Sequence, residues 1–120
     1  MSSNILPLLP SQLFDGLNSL NYLNLQRNQL SELRAGEFAG LPSLQRLTLA
    51  SNRLSSLPVS LFANDTMLWD IDLSFNQIGN LSGGIFSGVT NLQSLELGQN
   101  QLSSLPWEIF LGLPRLGLIN

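Results

Sequence analysis

The chain of 120 residues carries five basic and eight acidic side chains, a net charge of −3, and neither histidine nor cysteine. Five arginines are too few for a nucleic-acid footprint, and disulfides, thiolate metal sites and Ser-His or Cys-His pairs are excluded. With 43% hydrophobic residues it can fill one core, yet no window reaches the roughly 18 uninterrupted apolar residues that would span a bilayer.

The opening MSSNILPLLPSQLF lacks a basic n-region and is broken by two prolines, so it does not read as a signal peptide. From Leu20 onward the sequence repeats. LNYLNLQRNQL (20–30) returns as LQRLTLASNRL (44–54), LWDIDLSFNQI (68–78) and LQSLELGQNQL (92–102), each displaced by 24 residues. Asparagine recurs at Asn4, Asn28, Asn52, Asn76 and Asn100, and phenylalanine at Phe14, Phe38, Phe62, Phe86 and Phe110. Two columns of different residue type holding one step identify a solenoid, read as one domain over 1–120 with about five repeats.

Within each unit, LNL, LTL, IDL and LEL alternate apolar with polar side chains, as a strand with one buried face requires. Strands recurring once per turn in one direction stack into a parallel sheet. Leu23, Leu25 and their equivalents point inward, the leucines after each asparagine fill the interior from the other side, and the Phe column closes it. Where the chain leaves each strand, an amide side chain can donate and accept at once. The asparagine column is therefore assigned to backbone groups of its own and adjacent turns.

The pattern LxxLxLxxNxL followed by LPxxxFxxL resembles the typical 24-residue subclass of the leucine-rich repeat family, as in extracellular receptor and variable lymphocyte receptor-type ectodomains. The likeness covers essentially the whole chain. It implies an α/β-type solenoid, right-handed and curved, with a parallel sheet of short strands on the concave face and irregular or 3-10 turns on the convex face. It says little of function, because the scaffold is shared by members that bind different things.

Several positions break the pattern. Asp65 stands in a column with Leu17, Leu41, Val89 and Leu113, which places it in a loosened loop or turned to solvent. Gly83 and Gly84 are expected to permit a tight convex bend, and Leu57-Pro58 and Leu105-Pro106 favour extended backbone. Trp107 is expected to pack on the convex surface or near the C-terminal end.

Catalysis has little to draw on. The one carboxylate constellation, Asp70, Asp72 and Glu96, lies on the outer face of the sheet beside Arg46. It reads as a paired-carboxylate or hard-cation site, or as a solvated acidic patch partly balanced by Arg46; on a flat, open sheet the patch is the better reading. No catalytic residue, metal site or cofactor is assigned. Binding fits better. Asn21, Tyr22, Asn24, Gln26 and Arg27, with their equivalents in later turns, vary while the scaffold repeats. Among them Tyr22, Arg46, Trp69, Asp70, Asp72, Phe75 and Glu96 are the candidate ligand-binding residues, because aromatics and arginine most often anchor interfaces. Alternatively, Trp69 and Phe75 merely cover neighbouring side chains. The resemblance implies a protein ligand on the concave face, and the charge balance argues against nucleic acid.

Met1 falls in the column of Leu25, and Ile119 in that of Leu23, so the sequence starts and stops inside a strand without recognisable caps. Unprotected terminal turns would be adhesive, and the second reading is a self-associating structural or engineered module that oligomerises through them. Asn64-Asp65-Thr66 and Asn80-Leu81-Ser82 are candidate glycosylation sequons and suit a secreted chain. The lack of cysteine suits a cytosolic chain or an excised segment equally, leaving both compartments open.

Overall fold

The structure, a computed structural model, describes residues 8–10, 13–63, 65–110, 113 and 115–119, the last two by backbone alone. Asn4, Asn64 and Met1 lie outside the described residues. Five short strands form one parallel sheet in sequential order: β1 (Tyr22–Asn24), β2 (Arg46–Thr48), β3 (Asp70–Asp72), β4 (Ser94–Glu96) and β5 (Leu118–Ile119). Each residue pairs with the one 24 positions on, as Leu23 with Leu47, Leu47 with Ile71 and Ile71 with Leu95. The repeat in the sequence is thus the register of the sheet. Among the described residues no helix is long and apolar enough to cross a membrane.

Behind the sheet the core is one continuous apolar stack. Leu25, Leu49, Leu54, Ile71, Leu73 and Ile78 are fully enclosed. Phe14, Phe38, Phe62 and Phe86 form a row with ring centroids 6.0, 6.4 and 5.7 Å apart, within the range of favourable aromatic pairing. The convex side is made of tight turns closed by bonds spanning three residues, such as Ala39 N to Gly36 O, Leu41 N to Phe38 O and Ile85 N to Ser82 O. One such segment is a 3-10 helix over Trp107–Phe110.

The asparagines sit where the strands end. Asn52 Nδ2 donates to Leu49 O in its own turn and to Leu25 O in the preceding one, at 2.9 and 3.0 Å. Its Oδ1 accepts from Asn28 N and Leu30 N, both at 2.9 Å. Asn76 and Asn100 repeat the donor half of the pattern, and their Oδ1 atoms accept from Leu54 N and Ile78 N. Each amide satisfies backbone groups that the sheet ladder has released and ties consecutive turns together.

The structure corrects several expectations drawn from the repeat. Asp65 is neither loosened nor turned outward: it is 5% exposed, and its Oδ2 has no hydrogen-bond partner among the described residues. The cause is the backbone. Asp65 N donates to Phe62 O and Leu68 N to Asp65 O, repeating the bonds of Leu41 and Leu44, so its Cβ is aimed where the apolar members of the column point. Burial pushes the Asp65 carboxyl up to about 7. Leu17, at 45% exposure, does not join this column in the core. Phe110 does not close the Phe row. After Pro106 the 3-10 helix turns Ile109 inward, leaving Phe110 40% exposed and Trp107 69% exposed rather than packed. Gly83 and Gly84 do occupy a tight convex turn, closed by Ile85 N to Ser82 O, but without the left-handed backbone that only glycine favours; at Gly83 a Cβ would crowd the Glu108 side chain at 3.0 Å. Close packing explains that glycine better than conformational freedom does.

Candidate functional site

Outward side chains of the sheet fall into rows that run across the strands, because the strands are in register. In the first row Tyr22, Arg46 and Asp70 are direct partners. The Arg46 guanidinium carbon lies 5.0 Å from the Tyr22 ring centroid and 5.5 Å from that of Trp69, within cation-π range of both. Its Nε donates to Asp70 Oδ2 at 3.2 Å. The structure therefore brings four of the candidate residues together, and Arg46 is engaged on three sides. Trp69, expected to be exposed, is half-buried in this stack.

The second row holds Asn24, Thr48, Asp72 and Glu96. Three of these accept a hydrogen bond from the amide two residues on: Gln26 N to Asn24 Oδ1, Ala50 N to Thr48 Oγ1 and Ser74 N to Asp72 Oδ1. Asp72 Oδ1 also accepts from Ser74 Oγ at 2.6 Å. This local bonding is characteristic of Asn, Asp and Thr at strand exits, and the residue types were its visible signal. Glu96 makes no such bond, so the row's structural task ends at Asp72. Thr48, Ala50 and Ser74 are buried, which leaves these three outward positions little side-chain surface to offer. Each is small enough to be covered by its neighbours.

Beyond the strands the chain turns through a left-handed corner. Arg27, Ser51, Phe75 and Gln99 have φ of 62°, 59°, 57° and 56°. This conformation costs an L-residue about 1 to 2 kcal/mol, and a bulky aromatic is an outlier there. Phe75 is also 59% exposed. Nothing in the residue types of this column announced the corner.

Two shallow hollows open on this face. One, of about 180 Å³, is bordered by Tyr22, Arg46, Asp70, Asp72 and Glu96. The other, of about 420 Å³, lies between Arg27, Asp72, Phe75 and Glu96. Among the described residues the only ion pairs are Arg46–Asp70 here and Arg34–Glu37 on the convex side. No group of three or more His, Cys, Asp or Glu residues among those described could hold a metal ion. Asn80 of the second sequon is exposed and lies outside the strands.

The family model for the leucine rich repeat matches residues 1–64 and 67–120. Among curated proteins no sequence matches the chain. Solved structures do. A complex of TLR13 with ssRNA13 superposes with a TM-score of 0.95 at 32% identity, covering 100% of this chain and 17% of that one. The Drosophila Toll–Spätzle complex gives 0.85 at 32% identity, covering 92% of this chain and 15% of that one. A leucine-rich repeat protein of Leptospira interrogans gives 0.81 at 35% identity, with 98% and 30% covered. The chain thus spans less than a third of each of these relatives. With the motif, the register and the asparagine brackets all keeping one 24-residue step, the chain belongs to the leucine-rich repeat family.

Proposed function

We propose that the chain is a non-enzymatic binding scaffold that recognises a protein partner on its concave sheet face, through Tyr22, Arg46, Trp69, Asp70, Asp72, Phe75 and Glu96. The observation that carries this reading is Phe75, a large aromatic held exposed at φ 57°. The left-handed corner recurs in every turn and is set by the scaffold, whereas a large exposed apolar side chain in that column belongs to Phe75 alone. A contact made outside the chain offsets that exposure. Tyr22, 48% exposed over Arg46, supplies a second anchor of the type found at interface centres.

Two of the structural relatives are complexes, TLR13 with ssRNA and Toll with Spätzle. Kinship of fold therefore leaves both ligand classes open, and local charge favours protein. The concave strands carry Asp70, Asp72 and Glu96 against Arg46 alone, a balance that repels phosphate. The test is a random peptide display library panned on the folded chain. Retained clones should lose binding on Tyr22→Ala with Phe75→Ala and keep it on the convex-side Val59→Ser. Equal binding to all three proteins would refute the concave reading.

A second reading, self-association through the 3-10 turn over Trp107–Phe110, is supported by the exposed Trp107 and Phe110. Light scattering behind a sizing column discriminates: a concentration-dependent mass that Trp107→Ser abolishes favours it, and a constant monomer removes it.

A further inference from the structure

We propose that the partner recognised here is a polypeptide segment presenting a basic side chain beside an apolar one, the cation seated between Asp72 and Glu96 and the apolar group on Phe75. The proposal rests on the concave-face reading and specifies its chemistry. Asp72 and Glu96 are direct partners on adjacent parallel strands, where like charges in register destabilise a sheet. No cation relieves them within the described chain. Arg46 is committed to Asp70 and to two aromatic rings, and Arg27, at the far rim of the larger hollow, pairs with neither. Asp72 Oδ2 and both Glu96 carboxylate oxygens accept no hydrogen bond among the described residues, whereas Asp72 Oδ1 is fixed by Ser74 N and Oγ.

That geometry suits an ammonium or guanidinium group. Strand spacing of about 4.8 Å lets one nitrogen approach both carboxylates at ordinary charge-assisted distances. The held orientation of Asp72 lowers the ordering cost of binding. Phe75 lines the same hollow as Asp72 and Glu96, so an apolar side chain next to the cation would cover its exposed ring. The unpartnered sheet face is thus complementary to an extended segment of mixed basic and apolar character, and the unrelieved carboxylate pair opposes acidic segments and phosphate backbones alike.

The experiment uses the intact chain and the clones recovered by panning. Retained sequences should be enriched in Lys or Arg adjacent to an apolar residue. Synthesised with a fluorescein label, they should bind at least tenfold more weakly to Asp72→Asn plus Glu96→Gln and to Phe75→Ser, and unchanged to Glu32→Gln and Glu108→Gln, both exposed and outside the strands. Thermal melting of Glu96→Gln should show a Tm equal to or above the parent's, separating lost recognition from lost folding. Clones without basic enrichment, or equal weakening by Glu32→Gln, would overturn the proposal. So would binding of a labelled single-stranded oligonucleotide that Tyr22→Ala with Phe75→Ala abolishes. If the clones respond to Tyr22→Ala with Phe75→Ala but ignore both carboxylates, the concave reading stands and this one falls. Retention of no clone at all overturns both.

Discussion

Asn52 and Asp65 are both buried polar side chains in an apolar stack, and they stand at opposite extremes of satisfaction. Asn52 uses its oxygen twice and its nitrogen on two turns. Asn52→Ala would strand backbone groups of both turns, each at about 1 to 3 kcal/mol when buried. We expect a loss of several kcal/mol by urea unfolding; a midpoint equal to the parent's would contradict the bracket role. Asp65 has the reverse problem. Its folded carboxyl titrates near 7 against an ordinary 3.8, so between those values the folded chain holds a proton that the unfolded chain has released. Stability from this group is complete below about pH 4 and falls as pH rises towards 7. Asp65→Asn removes the penalty while keeping the shape. The variant should melt above the parent at pH 8, by a few kcal/mol in stability on the order of the linkage relation. The two curves should converge towards pH 4, and a constant gap across that range would show that the carboxyl does not titrate on folding.

Each repeat is a short strand, a left-handed corner and a convex turn, and these differ in how openly the sequence displayed them. The strands were plain, because Leu23, Leu47, Ile71 and Leu95 must all face one core and alternation reports that directly. The convex turns were legible through their Phe and Leu columns until Asp65 and Phe110, where residue type and burial disagree. Hydrophobicity indicates which side chains prefer the interior, whereas backbone bonding decides which ones go there. The corner was silent, since Arg, Ser, Phe and Gln share no turn propensity; on the face itself the candidates could be named but not their partners, as the stacking of Arg46 on Trp69 illustrates. A glycine column tells the same story. A Cβ on Gly88 would drive into the Ala63 carbonyl oxygen and lie 2.9 Å from Phe62 O, whereas one on Gly98 would meet nothing within 4 Å. Gly88→Ala should therefore pry the third convex turn from the fourth and cost about 1 to 3 kcal/mol, as overpacking does. Gly98→Ala, at ordinary φ on the open face, should be neutral or slightly stabilising. Matched thermal melts of the two single variants decide it.

Across the whole molecule every strand meets only its immediate neighbours in the sequential order. Asparagine brackets, the Phe row and the sheet ladder all join one turn to the next and none skips a turn. Stability then approximates a sum of turn and nearest-neighbour terms, so opening begins at an end and moves inward. A turn flanked on both sides can open only with a neighbour, and a terminal turn can open alone. Amide exchange should report this as a gradient. Leu49 N and Leu73 N, bonded to the third and fourth turns, should exchange slowest. Leu25 N and Gly117 N, whose bonds join the outer turns, should exchange faster by an order of magnitude or more, since each 1.4 kcal/mol in opening free energy is a factor of about ten. Asn52→Ala should steepen the profile on its N-terminal side and leave Leu73 N nearly as protected, because the bracket it breaks lies between β1 and β2. If all four amides exchanged together in both proteins, opening would be global and the nearest-neighbour account wrong. The same locality bears on recognition. Asp72, Phe75 and Glu96 sit on the third and fourth turns, each of which has a described neighbour on both sides, so the proposed contact surface is held by turns braced from two directions.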